Sequence, residues 1–335
     1  MKTGKLSESI LKRSILKKLR TRRPEVIQGA GVGKDCALFS FGEEEVALSA
    51  SSFTVFDPKE IDWKLIKAIN NVAAGKAEPV GILVSIILPK DSGEHTIREV
   101  MDGIEEVCKR LGIQIAGGDT RISPFVSRIQ LGITVLGRRK ETAARERTNV
   151  GQDVVMTKWL GLAGTSLLIK SREEELKKRL PARLLEEARG FDQYAAVISE
   201  AAIAAAQDAG PMHDVSRGGI FTALWELAEE AGVGLDIDIR QIPIRQETIE
   251  VTEVLGVNPY ELDGTGSLLI LTPRGEDLIR ELAENKISGA VIGSTTAGNA
   301  RILVNGEEQR YLDRPAGAAP EEEIEGQVTD QSVLE

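Results

Sequence analysis

The sequence predicts a two-domain α/β protein, of the α+β kind that mixes hairpins with crossover helices. Three observations predict it. Strand-like and helix-like periodicities alternate along most of the chain. A polar, charged stretch without periodicity, Gly137 to Gln152, separates two halves of similar size. The length of 335 residues suits roughly two domains of about 150 residues each. The reading is therefore a first domain over 1–150, a second over 151–315, and an acidic tail over 316–335.

The amino terminus is basic, with nine Lys or Arg and one acid, Glu8, in residues 1–23. Ile10, Leu11, Ile15, Leu16 and Leu19 give it the stripe of an amphipathic helix, ended by Pro24. Val46 to Ala50 reads as a strand, Asp62 to Ala74 as a helix and Gly81 to Leu88 as a buried strand. His95 to Leu111 is the clearest helix, because Ile97, Val100, Met101, Ile104, Val107 and Leu111 recur at spacings of three and four. Ile113 to Ala116 and Arg128 to Leu136 complete the strands of the first half.

The second half starts with a strand, Asp153 to Thr157, and a helical region to about Gln207. A helix over Gly218 to Ala231 follows, then strands over Leu235 to Ile239 and Ser267 to Thr272. Gly275 to Glu284 is a helix, and Ala290 to Gly293 and Arg301 to Val304 are strands. The tail carries six acids, no base and too little apolar surface to offset its ordering entropy, which predicts disorder.

Composition removes whole classes. Acids outnumber bases 52 to 42, a net charge of −10 that argues against nucleic acid as a partner. Aromatics are only 4%, too few for a base-stacking platform. The longest apolar run, Ile82 to Leu88, is broken by Ser85 and far too short for a bilayer, so no membrane is expected. Cys36 and Cys108 permit one disulfide at most, which suits a cytoplasmic home.

Five segments could carry chemistry. Gly29-Ala30-Gly31-Val32-Gly33-Lys34-Asp35 lets successive amides converge on a phosphate, or is a plain glycine-rich loop. It is no P-loop, since Gln28 and Asp35 stand where glycine and Ser/Thr are required. Lys34 stands at the third glycine of the dinucleotide fingerprint, and no clear strand precedes the cluster. The second segment, Ile69 to Pro79, contains Asn70 and Asn71. In the third, a strand ends in Gly117, Gly118, Asp119 and Thr120, where the aspartate either faces a metal or caps a turn. In the fourth, Met212 to Gly219, Arg217 stands at a helix start, where amides attract anions. His213 has no second histidine or cysteine nearby, so zinc is not expected. The fifth, Asp263 to Ile270, is a glycine turn feeding a buried strand.

Taken in order, Gly33-Lys34-Asp35-Cys36-Ala37, Ser49-Ala50-Ser51-Ser52-Phe53, Asn70-Asn71-Val72-Ala73, Gly117-Gly118-Asp119-Thr120 and Met212 through Gly219 resemble the AIR synthase-like superfamily. Thr157 to Thr165 and Gly264 to Ser267 are most similar to its HypE-like hydrogenase-maturation members. The resemblance implies an N-terminal α/β domain that dimerises into a shared β-barrel and a C-terminal ferredoxin-like domain. It implies ATP bound between them, with magnesium held by aspartates, and phosphoryl transfer to, or activation of, a small oxygen or amide substrate. Carried over residue by residue, it makes Asp35, Asp119 and His213 the catalytic candidates, with Asp35 and Asp119 also the metal candidates. Gly31, Gly33, Lys34, Ser51, Asn70, Asn71, Gly117, Gly118, Thr120 and Arg217 become the cofactor-binding candidates. Two aspartates of the family pattern stand here as Ser51 and Asn71, which weakens any magnesium site. The choice is between an active ATP-dependent enzyme and a ligand-binding or regulatory paralogue.

Overall fold

The computed structural model describes residues 8–19, 21–42, 44–140 and 150–315. The tail over 316–335 and most of the aperiodic stretch, 141–149, lie outside them. The chain divides into two compact units, one of Arg22–Gly29 and Asp35–Ala143, the other of Met1–Thr21, Ala30–Lys34 and Ala144–Glu335.

The first unit is a mixed sheet in the order β1-β2-β3-β6-β4-β5. Its strands are β1 (Val26–Gln28), β2 (Ala37–Ser40), β3 (Glu44–Val55), β4 (Glu78–Pro89), β5 (Gln114–Ser123) and β6 (Ile129–Lys140). Helix α2 (Ile61–Ala74) follows β3, and α3 (Glu94–Leu111) makes the crossover between the parallel pair β4 and β5. Alternation fixes the faces. Ile82, Val84, Ile86 and Leu88 of β4 are buried with Leu131, Ile133 and Val135 of β6, and α2 supplies Ile61, Leu65, Ile69 and Val72 to the same core. The intervening Leu83 and Ser85 are exposed. The sheet is open within one chain; β1 and β5 are its edges.

The strands outrun their sequence-level bounds. Pairing with β6 carries β3 through Ser51, Ser52 and Phe53 to Val55. The segment Gly117-Gly118-Asp119-Thr120 lies inside β5 and does not end it, because backbone pairing with Leu83 to Ile86 holds it extended. Gly118 is required there: a Cβ would lie 1.8 Å from the Val84 carbonyl oxygen. A short strand, β1, does precede the glycine cluster.

The second unit opens with α1 (Glu8–Ile10), a π-type turn over Leu11–Ile15 and a 3-10 turn over Leu16–Lys18. One continuous amphipathic helix was expected. No side chain caps these turns, and Arg13 and Lys17 put like charges one turn apart. Seven strands then pair in the order β13-β12-β9-β11-β7-β10-β8. They are β7 (Asp153–Thr157), β8 (Met212–Val215), β9 (Gly234–Asp238), β10 (Ser267–Thr272), β11 (Gly289–Thr296), β12 (Arg301–Asn305) and β13 (Glu308–Tyr311). The helices are α4 (Leu162–Ser171), α5 (Glu173–Leu176), α6 (Ala182–Arg189), α7 (Ile198–Ala206), α8 (Gly219–Ala231), α9 (Gln246–Leu255) and α10 (Gly275–Glu284). Every residue of β10 is buried, as expected of a strand covered on both faces, here with α7 and α8 against it. The core joins Met156, Leu224, Leu227, Leu235, Ile237, Leu269 and Leu271. Among the described residues no helix is long and apolar enough to cross a membrane.

Candidate functional site

The glycine cluster is split between the units. Gly31, Gly33 and Lys34 belong to the C-terminal unit, whereas Asp35 begins the next stretch of the N-terminal one. Gly33 is buried with φ at +72° and sits against the backbone of α8, where a Cβ would come within 2.3 Å of the Glu226 carbonyl oxygen. Only glycine fits both the left-handed backbone and that contact. Lys34 follows, its Nζ 2.6 Å from Oε1 of Glu230, one turn further along the same helix.

β8 and α8 form the other side of this arrangement. Pairing with β10 holds His213 opposite Leu269 and Asp214 opposite Leu268, and both polar residues are buried, at 3% and 1% exposure. His213 Nε2 lies 3.1 Å from Glu226 Oε2. Arg217 is half-buried in the turn that leads into α8. Helix α8 thus carries Glu226 toward His213, Glu230 toward Lys34, and between them Glu229. That third carboxylate accepts from Lys12 Nζ at 2.7 Å and Arg301 at 2.9 Å. Those hydrogen bonds, Lys12 first, hold it below the usual carboxylate range. The Arg301 guanidinium also stacks 3.8 Å from the Trp225 ring centroid, and the Trp225 indole donates to Glu8.

In the N-terminal unit Ser51 and Asn71 do meet. Asn71 Nδ2 lies 3.1 Å from Ser49 Oγ and 3.5 Å from Ser51 Oγ. Asn70 is fully buried beside it on α2. Asp119 and Thr120 are exposed on β5, with Asp119 in register with Ser85. Strands β6 and β4 separate β5 from β3, which at about 4.8 Å per strand keeps Asp119 roughly 14 Å from the serine–asparagine cluster. The fold therefore brings Ser51 to Asn71, and Gly33 with Lys34 to α8, but does not bring Asp119 to Ser51.

A divalent cation prefers several oxygen ligands with one or two carboxylates. Ser49, Ser51 and Asn71 offer neutral groups already bonded to one another, and Asp119 stands three strands away. Among the described residues no group of three or more His, Cys, Asp or Glu could hold a metal ion. Among the described residues the serine–asparagine cluster and Asp119 do not assemble a magnesium site with each other. Cys108 is no nucleophile either, since burial, with Glu105 nearby, pushes its thiol up to about 11.

Glu226, Glu229 and Glu230 were not singled out as site residues from sequence. Their partners lie 13, 217 and 196 positions away, although the close acidic spacing along one helix was a readable signal.

Comparison with known proteins gives a consistent result. Residues 33–139 match the family profile "AIR synthase related protein, N-terminal domain", and 149–305 match "AIR synthase related protein, C-terminal domain". A putative hydrogenase expression/formation protein of Methanocaldococcus jannaschii is 24% identical over 94% of this chain and 95% of its own. Among solved structures, a HypE–HypF complex superposes with a TM-score of 0.74 at 18% identity, covering 92% of this chain and 100% of that one. HypE in complex with ATP gives 0.68 at 18% identity, covering 94% and 96%. At those identities the structural likeness is one of fold.

Proposed function

This chain belongs to the AIR synthase related family, and on that footing we propose that it binds ATP or a like phosphate ligand through the Gly31–Lys34 turn. A small oxygen- or amide-bearing substrate would be activated there. The observation that carries the reading is the seating of Gly33 and Lys34 on α8, whose Glu226 also meets the buried His213 of β8. Lysine is a competent phosphate partner, and a buried imidazole held by a carboxylate is suited to moving a proton. Support comes also from a structural neighbour solved with ATP.

The neutral cluster of Ser49, Ser51 and Asn71 favours a second reading, a ligand-binding paralogue with weak magnesium dependence and no turnover. Titration calorimetry with ATP, with and without magnesium, run beside a phosphate-release assay on the protein and on Asp119→Ala, separates the two. Turnover abolished by that substitution retires the second reading. ATP heat without phosphate release retires the first, and no heat under any condition overturns both.

We also infer a homodimer built on the sheet of the N-terminal unit, within a first domain of 1–150 whose companion is the domain over 151–315. β5 is an exposed ten-residue edge strand, and Leu83, Ile122 and Leu136 are each at least 40% exposed on that sheet. Soluble proteins cover such edges, and a second copy would extend or close the sheet. Light scattering at micromolar concentration then reads a dimer mass, and a monomer overturns this part.

A further inference from the structure

We propose that Glu230 acts as a built-in competitor for phosphate, occupying Lys34 and keeping the Gly33 turn latched to α8 until a polyanion displaces it. The inference rests on the reading that this turn receives a phosphate ligand, and adds how access to it is controlled.

Lys34 is the cation of the glycine turn, and its Nζ is already committed to Glu230 Oε1 at 2.6 Å. The pair is not buried beyond reach, because the lysine side chain is 26% exposed and the glutamate 12%. The turn itself is fitted to the helix by Gly33, whose Cα faces the Glu226 carbonyl. A ligand cannot simply join this contact. Within about one turn α8 presents Glu226, Glu229 and Glu230, and a triphosphate brought to Lys34 in its present place would face three carboxylates. Lys12 and Arg301 offset Glu229, and His213 holds Glu226, so Glu230 is the carboxylate that engages the turn's own lysine.

The receptive state is therefore one in which Lys34 has left Glu230 and the turn has lifted from α8. A partly exposed ion pair holds its partners less firmly than a fully buried one, and a ligand with several negative charges outcompetes one carboxylate. The contact is weak enough to break and specific enough to matter.

Two measurements test it, on the full chain. Hydrogen exchange of amides 31–35 without nucleotide reads the latch, and calorimetry with ATP in magnesium-free buffer reads the ligand. Glu230→Gln removes the charge and keeps the shape. It is expected to speed exchange in 31–35 and to tighten ATP binding by about threefold to fivefold, the scale of one partly exposed ion pair. In a Lys34→Gln background the same substitution is expected to change neither. Unchanged exchange with intact ATP binding overturns the latch alone, as does weaker ATP binding in Glu230→Gln. Faster exchange with no ATP heat in either protein overturns the phosphate reading, and the regulatory role with it.

Discussion

Lys158 and Lys34 each close on a glutamate from another element of the same unit, yet the two pairs serve opposite ends. Lys158, at the end of β7, is 8% exposed at its side chain and Glu200 of α7 is 2% exposed. The ammonium donates at 2.8 Å to the carbonyls of Tyr194, Ala196 and Gly266 and pairs with Glu200. Burial holds its ammonium below the usual lysine range, with Glu200 pulling the other way. Every oxygen around it is fixed, so the charge is trapped and stitches β7 and β10 to the segment before α7. Lys34 has one glutamate, a side chain 26% exposed and a turn for a backbone. The same two residue types give a permanent fastening where both are buried and a releasable one where the lysine is partly exposed.

The contrast breaks most readily at Lys158. Lys158→Met leaves a buried carboxylate and three carbonyls without their donor, at a cost of about 3–5 kcal/mol, and thermal unfolding should fall by about 10 °C. The double variant Lys158→Met, Glu200→Leu should recover part of that loss. A loss of a degree or less in the single variant would mean the pair is not the fastening described.

Gly33→Ala comes next. It puts a Cβ where φ is +72° and the Glu226 carbonyl stands 2.3 Å away, so about 1–3 kcal/mol of strain should appear as faster exchange in 31–35. Lys34→Gln should cost under about 1 kcal/mol at low salt and almost nothing near about 0.5 M salt, whereas the Lys158→Met penalty should be insensitive to salt.

The smallest effect is in acid. Glu229 is held below its ordinary value of 4.5 by the side-chain hydrogen bonds of Lys12 and Arg301. Its contribution is present above pH 4.5 and is lost as pH falls through the lowered value, because the unfolded chain then binds the extra proton first. Denaturation curves of the protein and of Glu229→Gln should differ by under about 1 kcal/mol above that value and converge in stronger acid.

Sequence pattern revealed what depends on near neighbours. The 3.6-residue recurrence in α3 and the apolar run of β10 are local, and both elements lie where periodicity placed them. β8 was read only as a segment leading to a helix, because His213 and Asp214 interrupt its apolar character; pairing with β10 and cover by α8 make it a buried strand. The glycines of β5 read as a strand end for the same reason, since their extension is imposed by β4. At the candidate site the glycine turn and His213 were legible as residue types. The acids of α8 were legible as a close cluster but their partners were not, since an ion pair between residues 34 and 230 leaves no periodic trace.

One feature of the connectivity bears on how the molecule is made. Glu8 bonds to Arg314, 306 positions later, and Lys12 to Glu229, 217 positions later. At a synthesis rate of about 5–20 residues per second, the segment of Glu8 and Lys12 emerges tens of seconds before the elements it pairs with. Closing such a span costs little more entropy than closing a loop half as long, so the delay is kinetic. The segment of Glu8 and Lys12 is made well before the helix it pairs with, and a fragment beginning after residue 34 would lose the Glu8 acceptor of Trp225, the Lys12 partner of Glu229 and the Lys34 partner of Glu230, while Arg301 and His213 stay with α8.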